Sequence, residues 1–218
     1  HSANSSRKMG WPEVPQAIPG ERRERLVGQF GPEDTDREHA GHFVEYFGDG
    51  KDFCVNLTYR VQENAGGIAQ ALLLAKDFAA DGPITVILGD NIFEDNFSRA
   101  VETISGGARI FLKKVTDPER FGVAVLKGIK VIRIIEKPKH PPTNFAVTGL
   151  YQYDRKVFDI IRSLKPSARG ELEITDVNNA YKKLGKLTSD FVSGFWSDAG
   201  TFDSLARSIM WAMRKKTK

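Results

Sequence analysis

Ile84-Thr85-Val86-Ile87-Leu88 is a nearly continuous aliphatic and β-branched run that stops at Gly89-Asp90-Asn91. Such a run suits a strand covered on both faces within a parallel sheet. Before it, Ile68, Ala71, Leu72, Ala75 and Phe78 recur at helical spacing over Gly67 to Ala79, and Val55 to Val61 alternates as a strand. Strand, helix, strand in that order is the pattern of a βαβ unit, so an α/β fold is expected. Ligands of open α/β sheets collect outside the carboxyl ends of the strands, which puts Asp90 where a metal or phosphate is handled. The competing reading is a plain turn, because Gly-Asp-Asn is ordinary loop chemistry.

The pattern continues on both sides of this unit. His42 to Phe47 reads as a short helix closed by Gly48, and a second helix is expected near Phe97 to Ile104. Ala108 to Lys113, Val123 to Leu126, Val131 to Ile135 and Phe145 to Tyr153 read as strands. Their clustering predicts a parallel sheet extended by a mixed or antiparallel region. Helices follow over Asp154 or Arg155 to Leu164, over Asp176 to Leu184 with Gly185 as its stop, and from about Thr201. Residues 1–36 differ in character. Pro12, Pro15, Pro19 and Pro32 interrupt a stretch rich in Ser, Glu and Arg, so a loosely packed or replaced N-terminal segment is expected ahead of a domain over residues 37–218.

Charge and composition exclude several classes. The net charge of +4 is matched by Arg214, Lys215, Lys216 and Lys218 alone, and a chain otherwise balanced does not build a nucleic-acid face. Those four charges read as a solvated, frayed helix end. No apolar stretch nears the roughly 20 residues of a membrane span, and no signal-peptide pattern opens the sequence. A cytoplasmic protein that uses no membrane is the expectation. Cys54, the single cysteine, has no partner for an internal disulfide and reads as a small core residue.

Three further tracts carry chemistry. Glu136-Lys137-Pro138 leaves a strand end with a carboxylate and an ammonium side by side, one suited to sugar hydroxyls and the other to a phosphate; a surface ion pair is the alternative. Asp198, after the apolar run Phe191 to Trp196, is a second isolated acid. Two acids from distant strand ends could form a half-site for Mg²⁺, which commonly takes one or two carboxylates plus substrate phosphates. Asp198 could equally start the helix near Thr201. Gln62 to Gln70 joins a strand to a helix through Gly66-Gly67, which exposes backbone N–H groups to an anion or a base edge, although a ligand-free connector is as good a reading.

Taken in order, Val61-Gln62 with Gly66 to Ala71, Leu88 to Phe93, Asp117 to Val123, Glu136-Lys137-Pro138, Ala146 to Tyr151, Lys165 to Asn178 and Asp198 to Thr201 resemble the sugar-1-phosphate nucleotidyltransferases, most closely the short-form glucose-1-phosphate thymidylyltransferases. The resemblance implies a Rossmann-like, GT-A-like mixed sheet flanked by helices. It implies that dTTP and glucose 1-phosphate react with Mg²⁺ to give dTDP-glucose and pyrophosphate. By the same resemblance Asp90 and Asp198 hold the metal and Lys137 contacts the sugar phosphate. Glu136, Gly122 and Val147 line the sugar site, Arg169 and Glu171 belong to a substrate-side loop, and Gln62 and Gly67 read the base. Asn91 and Trp196 fall on the substrate side, and a homo-oligomer is implied.

One departure bears on activity. The family opens with an apolar strand and a Gly-Gly-x-Gly-Thr-Arg loop that wraps the triphosphate, followed by a Lys-x-Leu-Leu-Pro tract. Residues 1–218 contain neither; Gly20-Glu21-Arg22-Arg23-Glu24-Arg25-Leu26 has no preceding apolar strand or further glycines, so Arg25 receives no catalytic role. The first sheet strand is therefore expected to be missing or replaced, and turnover impaired. The alternative is a noncatalytic sugar-nucleotide or sugar-phosphate binding module, or a regulatory partner of an intact enzyme.

Overall fold

The computed structural model describes residues 24–30, 37–79, 81–104 and 106–216. The chain divides into two units, His1–Ala65 and Gly66–Lys218. In the first, β1 (Glu24–Phe30) precedes α1 (Arg37–Phe47), a 3₁₀ turn (Lys51–Phe53) and β2 (Val55–Val61). β1 pairs in parallel with β2, from Glu24 opposite Val55 to Phe30 opposite Val61. Part of the atypical N-terminal segment, Arg25 included, is thus a strand. The expectation of loose packing over residues 1–23 and 31–36 lies outside the described residues. Gly50 turns the chain at φ 85°, where a Cβ would meet the Leu57 and Val55 side chains at 2.8 Å.

The helical run from Gly67 is two helices, α2 (Gly67–Leu73) and α3 (Lys76–Ala79), separated by a turn at Leu74-Ala75. Then follow β3 (Ile84–Ile87), β4 (Asn91–Phe93), α4 (Ser98–Glu102), β5 (Ala108–Lys114), β6 (Gly122–Lys127), β7 (Lys130–Glu136) and β8 (Phe145–Tyr153). The unit closes with α5 (Val157–Ser163), α6 (Ile174–Lys183), β9 (Leu187–Phe191), β10 (Trp196–Asp198) and α7 (Phe202–Lys216). The main sheet runs β7-β6-β8-β5-β9, with β3 also on β8, and β4 and β10 form a separate antiparallel pair. It is a mixed sheet: β5 meets β8 antiparallel and β9 parallel.

The strand buried on both faces is β8, not β3. Val147, Tyr151 and Tyr153 of β8 enter a core with α2, α5 and α6, while Ala146 and Leu150 enter a second core with Phe111, Val192 and Trp196. β3 pairs antiparallel with β8, and its burial alternates, leaving Ile87 57% exposed. Its aliphatic run came from β propensity rather than from two covered faces. Lys215 is also not a frayed charge, since it pairs with Glu94 and lies 5.7 Å from the Trp211 ring.

Tyr151, Tyr153 and Tyr181 stack in the larger core, with ring centroids 6.1 and 5.8 Å apart. Burial pushes all three phenols above their usual value; Glu136 and Asp90 add to the rise at Tyr151, and a hydrogen bond to Asp154 adds to it at Tyr181. An unfolded tyrosine ionises near pH 10, so stability is intact below about pH 10 and is lost as pH rises from there toward the raised folded values. Each phenol costs about 1.4 kcal/mol per pH unit in that window. Urea unfolding between about pH 9 and 11.5 is expected to give a slope approaching 4 kcal/mol per unit above pH 10, and a flat profile would contradict this packing.

Candidate active site

One edge of β8 carries β3 along Leu150 to Tyr153 and β6 at Ala146, so these two neighbours leave a gap between them. The chain leaving β3 fills it. Leu88 N–H donates to the Gly149 carbonyl at 2.8 Å, and the Asn91 side-chain oxygen accepts the Gly149 N–H at 2.8 Å. A sheet that parts in this way creates a crevice at strand ends, and Asp90 stands at it.

Asp90 and Asp198 meet across Gly200. A Cβ at Gly200 would lie 3.4 Å from the Oδ2 atoms of both acids. β10 delivers Asp198 by pairing with β4, with Asp198 opposite Asn91, and Ala199 N–H donates to the Asp90 carbonyl at 2.7 Å. Asp198 is not the entry residue of α7. That place belongs to Thr201 and Ser204, each of whose side-chain oxygens accepts the other's backbone N–H, at 3.2 and 3.0 Å.

Each acid is held through one oxygen. Asn91 Nδ2 donates to Asp90 Oδ1 at 2.8 Å, while its own Oδ1 accepts both the Gly149 N–H and the Trp196 indole N–H at 2.8 Å. Arg120 Nη2 donates to Asp198 Oδ2 at 2.5 Å and Nη1 to Asp117 at 3.0 Å. Burial opposes the Arg120 charge, but Asp117 and Asp198 outweigh it and hold the guanidinium above its ordinary value. Among the described residues, Asp90 Oδ2 and Asp198 Oδ1 accept no hydrogen bond. No group of three or more His, Cys, Asp or Glu forms a metal cage among the described residues. A pair of carboxylates with one open oxygen each fits Mg²⁺, which keeps the rest of its shell for water and phosphate.

A second group lines a cavity of about 500 Å³ with Glu136, Lys137, Arg169, Glu173 and Thr175. Gly122 faces Glu136 in the β6–β7 ladder, and a Cβ there would lie 3.0 Å from Thr175 Oγ1. Thr175 donates to Glu136 Oε2 at 2.5 Å. Arg169 donates to Glu173 through Nε and Nη2, which raises its pKa, and lies 3.4 Å from Glu171 and 3.9 Å from Glu136. Lys137 sits at φ 37°, a left-handed value unusual outside glycine, with its N–H on the Phe121 carbonyl at 3.0 Å. Among the described residues it makes no ion pair, so the surface-pair reading of Glu136-Lys137 falls away. Tyr151 ties the two groups together, because its phenol feels both Glu136 and Asp90.

The other sequence candidates are placed as follows. Val147 is buried on β8, and Trp196 is buried against Phe121 at 5.2 Å with its indole N–H committed to Asn91. Gly67 starts α2 at φ 86°, and a Cβ there would lie 2.7 Å from the Leu172 carbonyl, so its glycine has a packing reason. Gln62 follows β2 in the first unit and is buried there. Thr175, Arg120 and Tyr151 were missed as individual residues. All three lie inside tracts that the sequence had singled out, but their use depends on partners in other tracts, 39 positions away for Thr175 and 78 for Arg120.

A mixed sheet that parts over an acid pair, with a separate cavity lined by a carboxylate, a lysine and an arginine, defines an α/β domain whose charged groups gather at strand ends. The chain belongs to the sugar-1-phosphate nucleotidyltransferases: the Nucleotidyl transferase family model matches residues 35–214. It is 39% identical over 178 residues to a glucose-1-phosphate thymidylyltransferase of Neisseria meningitidis, covering 78% of this chain and 62% of that one. It is 46% identical over 171 residues to the enzyme of the same name from Xanthomonas campestris, covering 75% and 58%. The chain thus spans about three fifths of the length of these relatives. A Bacillus anthracis crystal structure, described as a candidate glucose-1-phosphate thymidylyltransferase in complex with a sucrose, superposes with TM-score 0.78 at 51% identity, covering 86% of this chain and 75% of that one. A UDP-glucose pyrophosphorylase complexed with UDP-glucose, at 19% identity and TM-score 0.72, shares the fold over 88% of this chain and 81% of its own. No described helix is long and apolar enough to cross a membrane.

Proposed function

We propose that the chain is of the thymidylyl-transferring kind, joining dTTP and glucose 1-phosphate into dTDP-glucose with release of pyrophosphate, and that its turnover is weak. The observation that carries this is the acid pair Asp90 and Asp198 at Gly200, beside the Glu136 and Lys137 cavity. A phosphate oxygen of the sugar 1-phosphate attacks the α-phosphorus in line and pyrophosphate leaves, so the protein's task is alignment and charge neutralisation. Lys137 takes the sugar phosphate, Glu136 accepts sugar hydroxyls in an orientation fixed by Thr175, and Arg169 closes the loop side. Gln62 and Gly67 serve the base, and Asn91, Gly122, Val147, Glu171 and Trp196 shape the walls. Asp90 and Asp198 would hold Mg²⁺, which supplies neutralisation of phosphate charge when bound. The want of a glycine-rich phosphate loop in residues 1–218 supports weak turnover, since losing preorganised donors costs orders of magnitude in rate. A cytoplasmic homo-oligomer that uses neither membrane nor nucleic acid completes the proposal.

Pyrophosphate release from dTTP, Mg²⁺ and glucose 1-phosphate tests it. Slow release that requires both substrates is expected. A rate near that of the Neisseria relative would remove the impairment, and calorimetric heat from dTDP-glucose without any turnover would favour a binding module.

A further inference from the structure

We infer that Arg120 is a positioning residue that orients Asp198 as one arm of the acid pair, an inference resting on the metal-holding reading proposed above. Both acids are anchored through one oxygen, Asp90 by the one turned away from Gly200 and Asp198 by the one turned toward it. Each has one oxygen fixed by a neighbour, Asn91 for Asp90 and Arg120 for Asp198, and one oxygen that accepts no hydrogen bond among the described residues. A carboxylate anchored this way has its rotation fixed, and outer partners of this sort are worth about 10- to 100-fold in metal affinity.

Arg120 grips Asp198 Oδ2, the oxygen that faces Asp90 across Gly200, and is itself held from several sides. It ends a 3₁₀ turn, Pro118–Arg120, whose geometry is set by buried Pro118 and by the Phe121 N–H on the Pro118 carbonyl at 3.1 Å. The guanidinium lies 5.0 Å from the Phe121 ring centroid, and that ring packs against Trp196, the neighbour of the Asn91 clamp. Its two Nη atoms are divided between Asp117 and Asp198, so Asp117 offsets the positive charge while the planar fork fixes the direction of the Asp198 carboxylate. Asp117 is in turn approached by Arg207 of α7 at 3.8 Å, which ties the arrangement to the helix that follows Asp198. A lysine could keep the charge but could not hold two acids at fixed angles.

The test is Mn²⁺ binding to the full chain, followed by electron paramagnetic resonance of free Mn²⁺, with thermal unfolding of the metal-free protein alongside. Arg120→Lys and Arg120→Gln are both expected to weaken Mn²⁺ binding about 10- to 100-fold, because what is lost is geometry. Tighter binding in Arg120→Gln would identify Arg120 as a competing cation, and unchanged binding in Arg120→Lys would make its charge alone sufficient; either result overturns the assignment. Should both variants unfold, Asp117→Asn, which leaves Arg120 in place and removes its anchor, is expected to weaken binding several-fold, and no change would overturn it. Asp198→Asn separates this inference from the reading beneath it. Mn²⁺ binding that is absent in the unsubstituted chain, or indifferent to Asp198→Asn, overturns the acid pair and Arg120's role together. Binding lost in Asp198→Asn but untouched in Arg120→Gln overturns Arg120's role alone.

Discussion

Asp90→Asn is expected to lower pyrophosphate release from dTTP and glucose 1-phosphate by about 10³-fold, equivalent to about 4 kcal/mol of barrier. The exchange keeps size and shape, and it removes one of the two negative charges that meet across Gly200. Asp90 accepts one side-chain hydrogen bond among the described residues, from Asn91, so the cost to folding should stay on the order of 1 kcal/mol. Initial rates at saturating substrates, paired with a urea unfolding curve, separate the two effects. A loss of less than tenfold in a folded variant would remove Asp90 from the chemistry.

Gly149→Ala is the change with the largest expected effect on stability. A Cβ at Gly149 would lie 2.6 Å from the amide carbon, nitrogen and oxygen of Asn91, closer than real Cβ contacts come. Asn91 cannot simply swing away, because its oxygen takes the Gly149 and Trp196 N–H groups and its nitrogen holds Asp90. Overpacking of this kind costs about 1–3 kcal/mol, and a buried donor left without an acceptor adds a similar amount. A total loss of about 4 kcal/mol in urea unfolding is expected, together with weaker Mn²⁺ binding through the loosened Asp90. A loss below about 1 kcal/mol would mean that Asn91 gives way freely and is no clamp.

The limits of sequence reading follow from the same contacts. Val55 to Val61 and Phe145 to Tyr153 are the observed strands to the residue, because β-branched and aromatic residues recur through each of them between turns. Ile84 to Leu88 was legible as a strand but not as an antiparallel, half-exposed one, since which strand gains cover on both faces is decided by pairing and not by its own side chains. β1, β4, β9 and β10 carry too few periodic residues to stand out; Trp196–Asp198 is a strand only because β4 lies beside it. In the site, Asp90, Asp198, Glu136 and Lys137 were visible as acids and an ammonium at the ends of apolar runs. The threonine that fixes Glu136 and the arginine that fixes Asp198 were not, for a hydroxyl or guanidinium reveals its partner only when the chain is folded.

Lys113 Nζ lies 3.2, 3.1 and 2.5 Å from the carbonyl oxygens of Val192, Ser193 and Gly194, so one ammonium gathers the turn that leads into β10. These partners stand 79 to 81 residues apart along the chain, and the Trp196–Asn91 bond spans 105. Contacts of such separation form late, after the local helices and the β6–β7 hairpin, because loop closure must come first. The order of folding therefore makes the acid pair one of the last things the chain acquires. The β5–β9 pairing, Ala108 opposite Leu187, spans the same separation, so the acid pair is completed together with that edge of the sheet, and a ligand of the pair stabilises only the finished state.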